Sequence, residues 1–189
     1  MTGKIMIKIF CFLPACIIIF FSSCNSVREN RPYVFLTNGS KYFLLPSENI
    51  EENMDSYQLV SASYGDRDYI LNAWVKADKD GMEMTLMNEL GTNMGELSYR
   101  DGSVSFSSPV FPQSLIGEYV VADFQLCFYN ASALREALAD SGLSFEDTGN
   151  RRRILQGKTV VIEIEKSQNT VKLVNNLRGY AYTLEGYYK

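Results

Sequence analysis

Along most of the chain, apolar and polar residues alternate with a period of two, which is typical of β-strands with one buried face. The alternation predicts five successive strands, at Tyr57–Tyr64, Arg67–Ala77, Met82–Leu90, Met94–Tyr99 and Ser103–Ser107. Short spacers rich in Gly, Asp and Asn, such as Asp101-Gly102, separate these strands, and such spacers are typical of hairpins. The pattern therefore predicts an antiparallel meander.

The pattern changes after Pro109 and Pro112, which interrupt the strands. Between Gln113 and Leu138 the apolar residues recur near helical spacing, and Leu134 lies four residues before Leu138. We expect two helices here that lie across the sheet.

The C-terminal part returns to strands, which we expect at Arg151–Leu155, Lys158–Lys166, Thr170–Asn176 and Tyr180–Gly186. The alternation in Lys158–Lys166 predicts that Val160, Ile162 and Ile164 face the core. Tyr33–Leu45, near the start, is rich in apolar residues and fits either a short helix or a strand. The fold class is therefore mainly β with α (α+β).

The first residues have the form of a secretory signal. Lys4 and Lys8 precede the apolar run Ile9–Phe21. This run is too short for a comfortable bilayer span and is followed by Ser22-Ser23-Cys24. Two small residues before a cysteine match the bacterial lipobox, in which the chain is cut before the cysteine and its thiol is acylated. An uncleaved anchor or an ordinary signal peptide are the alternatives.

The lipobox divides the chain into a signal peptide (1–23), a lipidated tether (24–32) and one domain (33–189). That domain is long enough to bury one core. Asn25 follows the lipidated Cys24, and in enteric sorting a residue other than Asp at this position favours the outer membrane. We therefore expect a lipid-anchored protein of the outer membrane that faces the periplasm.

Charge and composition exclude several functions. Removal of residues 1–23 leaves 16 basic residues against 22 acidic ones, with no dense basic block, so nucleic acid is a poor partner. The chain has no histidine, which excludes Ser-His and Cys-His nucleophile pairs and the common zinc sites. Cys127 would be the one free cysteine of the mature chain, so no internal disulfide can form. We expect neither enzymatic activity, nor a metal, nor a cofactor.

Several large apolar residues fall on strand faces that we expect to point inward. Trp74, Met82, Met84 and Leu86 belong to adjacent strands, and Leu126 belongs to the helical segment. Because methionine is unbranched and adaptable, a wall of this kind could accept flexible chains of varying shape. The alternative is that the same residues form an ordinary core.

Other candidates have ordinary explanations as well. Leu90 lies in a hairpin turn, where an isolated exposed leucine is common. Arg151-Arg152-Arg153 could contact lipid headgroups, pair with Glu163 and Glu165, or form a solvated strand end. Asp123 and Gln125 are interpreted as surface or structural groups.

Residues Tyr119–Tyr188 resemble a family of short gammaproteobacterial lipoproteins of unassigned function. The resemblance rests on Asp123-Phe124-Gln125-Leu126, Ala133-Leu134-Arg135, Arg153-Ile154-Leu155, Leu173-Val174-Asn175-Asn176 and Gly179-Tyr180. Members of that family occur beside aryl-polyene pigment genes, together with a periplasmic carrier similar to LolA. This resemblance implies a polyene-type lipid or a LolA-like carrier as a partner.

The order of elements also resembles LolB, a family of outer-membrane lipoprotein receptors. Its fold is an open antiparallel half-barrel, covered by helices, with an apolar interior that takes acyl chains. Met84–Leu97 is similar to the LolB segment whose turn holds an exposed leucine needed for placing lipoproteins in the membrane, and Leu90 falls on that position. Ile116-Gly117 through Ala133-Leu134-Arg135 is similar to the helical cover.

These resemblances imply a protein that binds the acyl chains of a lipoprotein or of a polyene-type lipid. Three acyl chains hold about forty methylenes, and at ~0.8 kcal/mol each their exposure to water costs tens of kcal/mol. Shielding them requires no nucleophile, metal or redox centre. A structural or interaction module of an envelope assembly is the alternative, and an envelope hydrolase ranks last.

Overall fold

The computed structural model describes residues 31–111 and 116–186. The signal peptide and the lipidation at Cys24 therefore lie outside the described residues, as does all but the end of the tether. None of the helices in the described ranges is long and apolar enough to cross a membrane.

The described ranges contain twelve β-strands and two α-helices. The strands of the N-terminal part are β1 Tyr33–Phe35, β2 Lys41–Phe43, β3 Met54–Tyr64, β4 Arg67–Asp78, β5 Gly81–Met87, β6 Asn93–Arg100 and β7 Ser103–Ser107. The helices are α1 Gly117–Phe128 and α2 Ala131–Asp140. The C-terminal strands are β8 Ser144–Asp147, β9 Arg151–Gln156, β10 Thr159–Lys166, β11 Thr170–Asn175 and β12 Tyr180–Glu185.

Ten strands form one antiparallel sheet in the order β7-β6-β5-β4-β3-β12-β11-β10-β9-β8. Strands β1 and β2 form a separate hairpin. The large sheet does not close into a barrel, so β7 and β8 are its two edges. The prediction of a mainly β fold with two helices and an open antiparallel sheet is confirmed.

The sheet consists of two meanders that meet in its middle. Strands β3 to β7 follow sequence order, as predicted, and β8 to β12 do the same on the other side. The two halves are joined by β3 and β12, where Val60 lies opposite Leu184. This junction joins residues more than a hundred positions apart, and the alternation pattern does not predict it.

Three local predictions need correction or completion. Tyr33–Leu45 forms the two strands β1 and β2, and the short strand β8 was not predicted. In β10 a register shift between Val160 and Ile162 interrupts the alternation. As a result, Val161 is buried and Val160 only half-buried, because the irregular backbone turns Val161 toward the core.

The two helices cover one face of the sheet, which we call the inner face. Its fully buried residues belong to both meanders and include Ala73, Val75, Ala77, Leu97, Tyr99, Ile154, Ile162, Ile164, Val171 and Leu173. Helix α1 is buried along most of its length. Asn130 is the N-cap of α2, and its side chain accepts a hydrogen bond from the Ala133 N–H.

Alternate turns of an antiparallel sheet lie at the same end. We call the end with the β3–β4, β5–β6, β9–β10 and β11–β12 turns the upper end. The lower end holds the β4–β5, β6–β7, β8–β9 and β10–β11 turns. The two ends differ in their side chains, as described below.

Gly117 allows α1 to begin in close contact with the sheet. A Cβ at this position would lie 2.9 Å from Leu97 Cδ1 and 3.0 Å from Phe106 Cβ. We expect Gly117→Ala to lower the free energy of unfolding by about 1–3 kcal/mol, because overpacking forces the neighbours to shift. Chemical denaturation measures this loss.

The matched control is Gly39→Ala, since a Cβ at Gly39 meets nothing within 4 Å. This variant should unfold within about 0.5 kcal/mol of the unmodified chain. Equal losses at the two positions would contradict the close packing of α1 on β6 and β7.

Candidate functional site

The structure divides the predicted wall between the two faces of the sheet. Met84 and Leu86 lie on the inner face, opposite the buried Val75 and Ala73 of β4. Trp74 lies on the outer face, which corrects the prediction that it points inward. Because neighbours along a strand face opposite sides, inward-facing Ala73 and Val75 require Trp74 to face outward.

Trp74 is held on the outer face by its own contacts. It lies opposite Tyr57 and Thr85, and its Nε1–H donates a hydrogen bond of 3.0 Å to Asp55 Oδ1. Its exposed fraction is 36%. The size and hydrophobicity of Trp74 suggested the inner face of the sheet, but the register of β4 places it on the outer face.

Two further members of the predicted wall lie in the packed core. Met82 is 2% exposed and Leu126, on α1, is fully buried. These side chains fill the space between helix and sheet. Of the predicted wall, therefore, only Met84 and Leu86 are partly accessible and lie together. They are two positions apart on the same face of β5.

Other half-buried apolar residues continue the surface of Met84 and Leu86. We call this set the open inner face, and it comprises Val60, Leu71, Met84, Leu86, Tyr182 and Leu184. Its members belong to neighbouring strands, with Leu184 opposite Val60 and Val60 opposite Leu71. The four residues that sequence reasoning missed in β3, β4 and β12 could have been found from the phase of the alternation once β3 and β12 were known to pair.

The surroundings of the open inner face are uncharged. The inner-face residues beside it in the same strands are Ser56, Gln58, Ala62 and Ala73, all of them small or neutral. Gln58 is buried, and its amide donates to Ser56 Oγ at 2.9 Å. An apolar group that lies on this surface would therefore meet no charged side chain of β3, and the charged inner-face residue of β4, Arg67, lies at the upper end of that strand.

Exposed apolar side chains collect at the upper end of the sheet. Tyr64, Leu90 and Leu177 lie in or beside its turns, and Val110 follows the upper end of β7. In the described residues, the four lower-end turns hold no exposed large apolar side chain. Among the turns of the sheet, exposed large apolar side chains therefore lie at the upper end, although exposed charged residues such as Glu89 occur there as well.

Leu90 is 90% exposed at the tip of the β5–β6 hairpin, and the turn beneath it is well ordered by hydrogen bonds. Asn88 Oδ1 accepts from the backbone N–H groups of Leu90 at 3.0 Å and of Thr92 at 2.8 Å. Gly91 has φ +78°, which glycine adopts without strain. The turn thus presents a leucine to the surroundings without any contact that would cover it.

A buried polar network holds α1 to the chain before β3. The Gln125 side chain is fully buried and pairs with the Leu45 backbone in both directions, at 2.9 Å and 2.8 Å. Tyr42 donates to Gln125 Oε1, and Tyr99 donates to the Leu45 carbonyl. All these polar groups have partners, so the network orients the helix without leaving an unsatisfied buried donor.

Asp123 faces the sheet from α1 and is almost completely buried. Burial raises the pKa of this carboxyl group to about 7, although the Tyr180 hydroxyl donates a 2.7 Å hydrogen bond to Oδ2. One turn further on, burial raises the pKa of the Cys127 thiol to about 12, so this free cysteine is a thiol at neutral pH. The interpretation of Asp123 as a structural group fits this burial.

The basic cluster divides between the two faces of β9. Arg151 and Arg153, on the outer face, both pair with Glu163, and the Arg153 Nε atom lies 2.9 Å from Glu163 Oε1. This is the pairing that the sequence offered as one of three alternatives. Arg152 points inward and is buried, with its Nε 2.9 Å from Asp147 Oδ2.

A cavity of about 710 Å³ lies beside this charged ladder. Its lining includes Arg151, Glu165, Thr170 and Lys172. In the described ranges, no group of three His, Cys, Asp or Glu residues is placed to hold a metal ion.

One protein-family model matches this chain, over residues 55–186, and it is described as a protein of unknown function (DUF3261). The match runs from β3 to the end of β12 and so includes the open inner face, Leu90 and both helices. No curated protein matches the chain significantly.

The raised pKa of Asp123 predicts a pH dependence of stability. Between pH 3.8, the usual pKa, and about 7, the folded chain keeps a proton that the unfolded chain loses. The free energy of unfolding should therefore fall as the pH rises through this window, by up to about 1.4 kcal/mol per pH unit. Asp123→Asn, which can still accept from Tyr180, should remove this part of the slope in denaturation curves recorded from pH 4 to 8.

The matched control is Asp66→Asn, in the exposed β3–β4 turn, which should keep the original slope. An unchanged slope in Asp123→Asn would show that this carboxyl group ionises in the folded chain as it does in the unfolded one.

Proposed function

Because the chain belongs to the DUF3261 family, whose function is unknown, we propose its function from the open inner face and the upper end of the sheet. The protein is a lipid-anchored protein of the outer membrane that binds an amphiphile, either a lipoprotein or a polyene-type lipid, and helps to place it in that membrane. The single observation that carries the proposal is the uncharged, half-buried apolar surface of β3, β4, β5 and β12.

The chemistry of this surface suits alkyl chains. Leu71, Leu86 and Leu184 offer aliphatic contacts, and Met84 adds a flexible thioether that adapts to different shapes. Each methylene that leaves water on such a surface contributes about 0.8 kcal/mol. The ligand would lie along the sheet and not within a closed cavity, since Met82 and Leu126 fill the space under α1.

The exposed apolar side chains of the upper end support contact with a bilayer. Leu90 protrudes there from a turn whose backbone is fixed by Asn88, and Tyr64, Val110 and Leu177 are exposed at the same end. A LolB-like arrangement, in which an exposed leucine touches the membrane while the covered sheet holds acyl chains, accounts for both features. A LolA-like carrier would then deliver the ligand.

The ligand-binding part is tested with the chain from Arg31 onward and a fluorescent fatty-acyl probe. Leu184→Gln, on the open inner face, should weaken probe binding about tenfold or more, because a leucine contact is worth about 1.5–3 kcal/mol. The matched control is Leu59→Gln, on the neighbouring strand but on the outer face. A chain that binds no probe, or equal effects of the two substitutions, would contradict the proposal.

The membrane part is tested separately by flotation with vesicles of phosphatidylethanolamine and phosphatidylglycerol. Leu90→Ser should reduce the vesicle-bound fraction severalfold while the free energy of unfolding changes by no more than about 0.5 kcal/mol, because the side chain packs against nothing. Thr92→Ser, in the same turn, is the control. Unchanged flotation of Leu90→Ser would remove Leu90 from the proposed membrane contact.

The alternative function, a structural or interaction module, is favoured by one observation. Beneath α1 the interior is packed, with Val121, Leu126 and Ile164 fully buried. The same probe experiment separates the two functions, since an interaction module has no reason to bind the acyl probe.

A further inference from the structure

The two edges of the sheet differ in how they are protected from pairing with another strand. Strand β8 carries Glu146 and Asp147, and α2 packs against it. Strand β7 reads Ser-Val-Ser-Phe-Ser from Ser103 to Ser107, without a charge or a proline. Proteins usually block a free edge with charges, proline, a bulge or a covering element. Helix α1 packs against β7 as α2 does against β8, so the two edges differ in charge, and β7 is the edge that its own sequence does not protect.

The backbone of β7 also has unused hydrogen-bonding capacity. Its partner in the described part of the chain is β6 alone, with Ser105 opposite Ser98. Among the described residues, no other backbone hydrogen bond reaches 103–107. An edge strand therefore presents N–H and C=O groups on its outward side, and these groups favour pairing with one more strand.

The sequence of β7 is complementary to itself. If two copies pair antiparallel about Ser105, each Val104 lies opposite Phe106 of the other copy, and Ser103 lies opposite Ser107. Val104 and Phe106 are half-buried side chains of one face, so the apolar row continues across the contact. Since both copies contribute the same residues, the contact has the two-fold symmetry of most protein dimers.

We infer that two copies of this chain pair through β7, with Ser105 on the two-fold axis, to form one continuous antiparallel sheet. Exposed apolar residues beside this edge support a second copy as the partner. These residues are Ile116 and Val110, and each is more than half exposed. Val110 follows β7, and Ile116 directly precedes Gly117, which packs against Val104 and Phe106. The lack of charge in β7 means that pairing brings no like charges together, although the chain as a whole carries a net charge of −4. The inference does not rest on the proposed function.

Cysteine crosslinking in the full-length chain tests the register. Residues directly opposite one another in an antiparallel pair have Cα atoms about 4.5–5.5 Å apart, within the range of a disulfide. Ser105→Cys should therefore give a product of twice the chain mass on a non-reducing gel after mild oxidation of cells that produce it. The unmodified chain gives the background from its native cysteines.

Single cysteines at Ser103 and Ser107 are the matched controls, because they lie in the same exposed strand. In the proposed register, each lies about 13 Å from its own counterpart, too far for a disulfide. Neither variant should crosslink alone, but the two should crosslink when produced together. Equal crosslinking of Ser103→Cys alone and Ser105→Cys would overturn the register, and a product containing a different protein would overturn the choice of partner.

A second measurement does not depend on disulfide formation. Ser105→Lys would place two ammonium groups opposite each other on the axis, so the detergent-solubilised full chain should shift from twice the chain mass to the single mass in light scattering. Ser98→Lys, one strand further in, should keep the doubled mass. A single mass for the unmodified chain, or an unchanged mass for Ser105→Lys, would overturn the inference.

Discussion

The buried guanidinium of Arg152 fixes the position of α1, on which the form of the inner face depends. Its Nη1 donates to the carbonyl oxygens of Leu126, Cys127 and Tyr129 at 2.9–3.0 Å, at the end of the helix where carbonyl groups lack partners within the helix. Its other nitrogens pair with Asp147 and Glu51. A charge removed from water is tolerated only when its donors are satisfied, so the helix end, β9 and the chain before β3 must meet at this point.

The rest of the interior follows from that attachment. At its other end α1 begins at Gly117, where the absence of a side chain lets the helix approach β6 and β7. Between the two ends, Gln125 pairs with the Leu45 backbone and Asp123 accepts from Tyr180. The helix therefore spans the open sheet from one meander to the other. Residues beneath it, such as Ile164, are fully buried, while those of the open inner face stay partly accessible.

Apolar and charged side chains are unevenly distributed over the ends, faces and edges of the sheet. Leu90 and the other exposed apolar residues lie at the upper end, and the outer face of β9 and β10 carries a ladder of ion pairs centred on Glu163. The two edges differ too, since β8 carries acidic side chains whereas β7 carries no charged one. Exposed apolar side chains at one end, an inner surface of uncharged residues and an edge strand without charge are three separate features, and each suits a different contact.

The sequence by itself determined the local structure. Period-two alternation gave the strands from β3 to β7 nearly to their ends, helical spacing gave α1 and α2, and the turn residues around Leu90 gave an exposed hairpin tip. The candidate site was predicted only in part, because alternation separates two faces without saying which of them the helices will cover. The register of β4 turned Trp74 outward, and the pairing of β3 with β12 brought Leu184 beside Val60 and Leu71. Only the tertiary structure decided these points. The alternation in a strand separates its residues into two faces, but distant segments of the chain decide which of the two faces is buried.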